Sequence, residues 1–139
     1  MRQIYAPVAA LLAAVLLLGA CGDTGGSAAT KARLELTAVS DVADIVASPP
    51  DGLLILDIRT PDEFAAGHIP GAINIDYYSP DFEQKLRTLD LQVPYVMYCN
   101  SGNRSANALP LMDSIGFQEV YELDGGIQAW YSAGQPLEQ

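Results

Sequence analysis

The segment YCNSGNRS, residues 98–105, places one thiol, one glycine and one arginine directly after the apolar run PYVM. Such a loop is either a nucleophile's cradle or an ordinary turn from a strand into a helix. Where a chain leaves a strand and enters a helix, several backbone N–H groups lack partners within the chain, and their convergence on one centre favours an anion. At Cys99 that anion would be the thiolate, whose pKa falls beside such donors. Gly102 permits the backbone angles of a tight curve, and Arg104 brings a forked positive group suited to an oxyanion. The expected site is therefore Cys99 as nucleophile, with Asn100, Ser101, Gly102, Asn103 and Arg104 as its binding loop. The competing reading is a buried structural thiol at a strand end.

The flanking elements decide whether such a loop has a scaffold. Short apolar runs alternate with helix-like segments, the pattern of a parallel sheet of about five strands with helices on both faces. Strands are expected at Leu34–Leu36, Leu53–Leu56, Ala72–Ile75, Val93–Tyr98 and Glu119–Leu123. Ser40 is the expected cap of a helix that Pro49 and Pro50 stop, and Thr60-Pro61-Asp62-Glu63 carries a capping-box pattern. Further helices are expected at Asp81–Arg87, Ser105–Ile115 and Ile127–Tyr131, with Pro110 kinking the second of these. Ligand sites of open parallel sheets lie beyond the carboxyl ends of the strands, and Cys99 falls there. Asp57 and Arg59 follow the second strand and are expected at the same edge, within reach of the loop. They read first as a pair that fixes a turn, with substrate contact by Arg59 as the alternative. His68, the single histidine, reads as turn-fixing, because a thiolate held by amides needs no base.

The chain has 139 residues, enough for one core of ordinary size. Residues 1–20 have the look of a secretory signal: Arg2 precedes an apolar run from about Val8 to Leu18 that ends in small residues. That run is shorter than the ~20 residues that span a bilayer comfortably. Leu18-Gly19-Ala20-Cys21 resembles the lipobox of bacterial lipoproteins, which implies lipid on Cys21 and an exported protein anchored to a membrane. Ordinary cleavage after Ala20 is the alternative. Residues 21–33 then serve as lipidated cysteine and flexible tether, and 34–139 form the domain. Seven basic residues against seventeen acidic ones give a net charge of −10, which argues against nucleic acid as a partner. Cys21 and Cys99 are the only cysteines, so lipidation would leave no internal disulfide.

Beyond the loop itself, ILDIRTPDEFAAGHIPGAINI, LMDSIGF and LDGGIQAW stand in order along the domain. Together with YCNSGNRS they resemble a single-domain rhodanese, the thiosulfate sulfurtransferase family. The resemblance implies that Cys99 takes a sulfane sulfur from a donor such as thiosulfate, holds it as a persulfide on the loop amides, and passes it to a thiol or cyanide. It implies no metal and no organic cofactor. Four residues separate Cys99 from Arg104, against five in cysteine phosphatases of similar fold, which favours sulfur over phosphorus. Two other readings stay open: a rhodanese-like module that docks an envelope protein without turnover, and a thiol-redox protein. Monomer is the default state.

Overall fold

The computed structural model describes residues 32–139. The signal-like segment, Cys21 and the tether up to residue 31 lie outside the described residues. The elements run β1 (Arg33–Thr37), α1 (Val39–Ala47), β2 (Leu54–Asp57), α2 (Pro61–Ala65), β3 (Ile73–Asn74), α3 (Phe82–Leu86), β4 (Pro94–Tyr98), α4 (Asn103–Ile115), β5 (Glu119–Leu123) and α5 (Gly126–Ser132). The five strands form one sheet in the order β1-β5-β4-β2-β3, and every pairing is parallel. β1 begins at Arg33, one residue before the expected domain boundary.

β4 lies at the centre because its whole run is apolar enough to be covered on both faces. All five of its residues are buried, and Pro94 stands at the first position, where a missing N–H costs least. Side chains alternate across the sheet. Tyr95, Met97 and Cys99 join Leu56, Ile58, Phe82, Leu86, Ala108 and Met112 in the core under α3 and α4. Val96 and Tyr98 join Val42, Ile55, Leu123, Ile127 and Trp130 in the core under α1 and α5. Burying each such aliphatic or aromatic side chain contributes roughly 1.5–3 kcal/mol. Trp130 belongs to this core, with its indole N–H donating to the Pro136 carbonyl at 2.8 Å.

Two helix starts differ from expectation. α1 begins at Val39, because the Val42 amide donates to the Ala38 carbonyl at 3.0 Å. Ser40 is thereby inside the first turn and is not the cap. α4 begins two residues early, at Asn103, because the Ala106 amide donates to the Gly102 carbonyl at 3.0 Å. Ser105 thus enters the helix's first turn, with consequences for the site.

Pro110 lies within α4, and the helix continues through it to Ile115. Both Pro110 and Ala106, whose carbonyl loses its helical donor, are exposed, so water can replace the missing bond. Pro110→Ala should therefore stabilise the fold by about 2 kcal/mol in chemical denaturation, the helical gain less the restraint that proline puts on the unfolded chain. An unchanged or lowered midpoint would mean that the proline ring itself packs to advantage.

Candidate active site

Cys99 follows β4 and shares the face of Tyr95 and Met97, beneath α4. The loop after it is shaped from below. The Ile127 amide donates to the Cys99 carbonyl at 2.9 Å and the Gln128 amide to the Asn100 carbonyl at 3.1 Å. With those carbonyls drawn toward the start of α5, the amides that follow turn toward the sulfur. The Gly102 amide donates to Cys99 Sγ at 3.1 Å, and the Ser105 hydroxyl lies 3.5 Å from it. Gly102 makes the curve at φ 101°, a conformation that side chains disfavour. Burial alone would push the Cys99 thiol up; the Ser105 hydroxyl and the amides of Ser105, Gly102 and Ser101 outweigh it and bring the thiol below its ordinary value. These donors favour the anion of the sulfur over its thiol.

Arg104 is placed differently from the expected oxyanion clamp. Its Nη1 and Nη2 donate to the two Glu63 carboxylate oxygens at 2.8 and 2.7 Å, and the guanidinium lies 5.5 Å from the Tyr78 ring centre. Both prongs of its fork are therefore occupied. It contributes instead as a positive charge near the thiolate: Glu63 first, then the Cys99 charge among others, raises its own pKa. Glu63 also completes the cap of α2, accepting from the Thr60 amide at 2.9 Å. One carboxylate thus ties the second strand's exit to the cysteine loop.

The Arg104 hydrogen bonds hold Glu63 at about 2, below its usual 4.5. A carboxylate depressed on folding contributes stability above its unfolded pKa, and that contribution is lost as pH falls through the folded value. The pair should therefore contribute about 1 kcal/mol at neutral pH, after allowance for solvent screening of the partly exposed Glu63. That contribution should fade between roughly pH 5 and pH 2. Glu63→Gln should flatten this limb of the stability curve; an unchanged acid limb in urea titrations would count against the pair.

Asp57, Arg59 and His68 are not gathered around the sulfur: each makes the turn-fixing contacts expected of it, and only the expected reach of Asp57 and Arg59 to the loop is corrected. Arg59 Nη2 pairs with Asp57 at 2.6 Å and donates to the Gly67 carbonyl at 2.7 Å, its guanidinium 5.6 Å from the Tyr98 ring centre. Tyr98 belongs to the other core. The three elements share an edge of the sheet, but the Asp57–Arg59 pair packs on the face away from Cys99. His68 stacks on Phe64 at 3.7 Å, with Nδ1 3.0 Å from the Phe64 carbonyl and Nε2 3.3 Å from Glu138. All three side chains fix the β2–β3 connection.

Two residues absent from the expected site are present at it. Ser105 is fully buried between the sulfur and Glu122, whose carboxylate lies 2.8 Å from the serine oxygen. The signal for Glu122 was available in EVYEL: strand alternation sets Val120 and Glu122 on one face, and Val120 belongs to the core of Cys99.

Residues 38–133 match the family model described as rhodanese-like domain. A thiosulfate sulfurtransferase GlpE from Pseudomonas entomophila (strain L48) is 41% identical over 83 residues, which cover 59% of this chain and 73% of that protein. The crystal structure of a rhodanese-related protein from Thermoplasma volcanium superposes with a TM-score of 0.66 at 28% identity, over 75% of this chain and 97% of that one. A structure from Rhodopseudomonas palustris, described as a protein of unknown function and possible tyrosine phosphatase, superposes at 0.63 with 30% identity, over 76% of this chain and 85% of that one.

Proposed function

This chain belongs to the rhodanese-like family, and we propose that it is a thiosulfate sulfurtransferase-like enzyme working through a persulfide on Cys99. The observation that carries the reading is the sulfur's position, at the carboxyl edge of the central strand with the Gly102 amide on it at 3.1 Å. The Cys99 thiolate attacks the sulfane sulfur of a donor such as thiosulfate; the new S–S bond forms as the bond to sulfite breaks, and sulfite leaves with the electron pair. The loop amides then face the electron-rich outer sulfur, as oxyanion-hole donors face an oxyanion. A thiol or cyanide takes that sulfur, and Cys99 leaves as thiolate.

Phosphate chemistry is disfavoured by the same geometry. A phosphatase needs an arginine fork over the loop, whereas both prongs of Arg104 are engaged by Glu63. The spacing from Cys99 to Arg104 argues in the same direction.

The N-terminal sequence supports a cellular setting for this chemistry. Residues 1–20 act as signal, Cys21 carries lipid, and the polar tether holds the domain near the outer side of a membrane in the bacterial envelope. Among the described residues no helix is long and apolar enough to cross a membrane. The test of the activity is direct. Incubated with thiosulfate, the purified protein should gain the mass of one sulfur atom, and peptide mapping should place it on Cys99. No gain in mass would sink the proposal.

A further inference from the structure

Glu122 is an unusual residue for the place it occupies. It stands near the carboxyl end of β5 with 3% of its surface exposed, and no cation pairs with it among the described residues. An isolated carboxylate buried in this way costs several kcal/mol if it stays charged, unless its surroundings hold it neutral or its proton is used. Its neighbours are few. Ser105 faces it from α4, Leu36 of β1 and Met97 of β4 flank it in register, and the charge that acts on it is Asp124, at its own strand's exit. Burial first, with Asp124 adding to it against the Ser105 hydrogen bond, raises its pKa.

The serine oxygen sits 2.8 Å from Glu122 Oε1 and 3.5 Å from Cys99 Sγ, with the Gly102 carbonyl at 3.1 Å. A hydroxyl has one proton to give and two lone pairs. When Glu122 is ionised, it takes the serine's hydrogen bond and leaves the sulfur facing a lone pair. When Glu122 is protonated, it donates to the serine, whose own proton is then released to the sulfur and the Gly102 carbonyl. The polarity of the whole chain is thereby set by one proton.

We propose that Glu122, through Ser105, is the internal proton acceptor for Cys99, so that carboxyl and thiol share one proton and one negative charge. Glu122 is a positioning residue in this scheme, since it reaches the reacting sulfur only through Ser105. The Cys99 S–H bond breaks as its proton passes to the serine oxygen, while the serine O–H proton passes to the Glu122 carboxylate. A new serine O–H and a carboxyl O–H form, and the charge moves from carboxylate to sulfur. No external acid, base or oxidant takes part. The preferred state is thiolate with neutral carboxyl, because several loop amides stabilise charge on sulfur, whereas the Ser105 hydroxyl alone stabilises it on Glu122, against burial and Asp124. The nucleophile is then charged before a donor arrives, without a proton leaving for solvent.

The inference rests on Cys99 being the nucleophile, and its test is separate from sulfur loading. The rate of iodoacetamide reaction at Cys99, read by peptide mass on the full chain, should rise with pH in two steps. The first step forms the thiolate; the second ionises Glu122, withdraws the serine's hydrogen bond from the sulfur and gives a further several-fold rise, as coupled groups titrate in two macroscopic stages. Glu122→Gln keeps the shape and a donor to Ser105 but accepts no proton, so it should show the first step alone. Ser105→Ala breaks the bridge with Glu122 intact and should also lose the second step. A thermal melt confirms that each variant is folded. Profiles that superimpose on the parent's in either folded variant would overturn the relay, even if thiosulfate still loads Cys99. Failure of thiosulfate to load Cys99 while the two-step profile persists would count against the sulfurtransferase reading alone.

Discussion

Cys99→Ser should fold as the parent does, take up no sulfur from thiosulfate, and transfer sulfur to cyanide at least ~10³-fold more slowly, as loss of a nucleophile does. The substitution changes one buried atom. A serine oxygen accepts from the Gly102 amide where sulfur did and stays within reach of Ser105. What it lacks is ionisation: the amides that bring a thiol below its usual pKa fall far short of doing so for an alcohol. Activity and fold should therefore separate, with the melting temperature close to the parent's and the sulfur-loaded species missing from the mass spectrum. Sulfur gained by the serine variant would place the acceptor elsewhere in the chain.

Gly126→Ala should be the most damaging single-methyl change in the domain. A Cβ there would sit 2.6 Å from both the Cys99 and the Asn100 carbonyl oxygens, at φ +61°. Both oxygens are backbone atoms, held by the Ile127 and Gln128 amides, so no flexible side chain can yield. Left-handed backbone strain of roughly 1–2 kcal/mol adds to the clash. The expected loss is roughly 3–5 kcal/mol of stability. The loop carbonyls would be pushed away from α5, and with them the amides aimed at the sulfur. Alkylation of Cys99 at neutral pH should slow in whatever fraction remains folded. Gly134→Ala is the matched control: its φ of +74° is equally unfavourable, but nothing lies within 4 Å of the added carbon. It should lose only ~1 kcal/mol from backbone strain. Equal losses in the two variants would show that the close approach at Gly126 contributes nothing.

Much of the scaffold is legible in the sequence because its signals are local. The apolar runs of β2 and β4, the capping box of Thr60 and Glu63, and the glycine that closes α4, Gly116, all act within a few residues. The nucleophile is legible for the same reason, since strand end, glycine and helix start adjoin it. The partners of that nucleophile are less so. Glu63 meets Arg104 across 41 positions, and a local explanation of Glu63 as a helix-start residue was sufficient without the contact. Asp57 and Arg59 lie at the correct edge of the sheet but on the other face. Proximity along an edge follows from strand order, whereas the face follows from alternation: Asp57 shares that of Ile55, in the core opposite Cys99. Ser105 was hidden by its expected role as the first residue of a helix that in fact begins at Asn103.

The depth of the sulfur has a consequence for which reagents the site survives. Cys99 is only 1% exposed, so in the resting protein a bulky oxidant or electrophile meets the rim of the loop before it meets the thiolate. The proposed persulfide sets the reactive atom one S–S bond, about 2 Å, beyond the buried Cys99 sulfur. Under the proposed chemistry the protein is therefore armoured when empty and presents its cargo when loaded. Oxidative damage and productive hand-over are then sorted by reach, with no moving part needed to tell the two states apart.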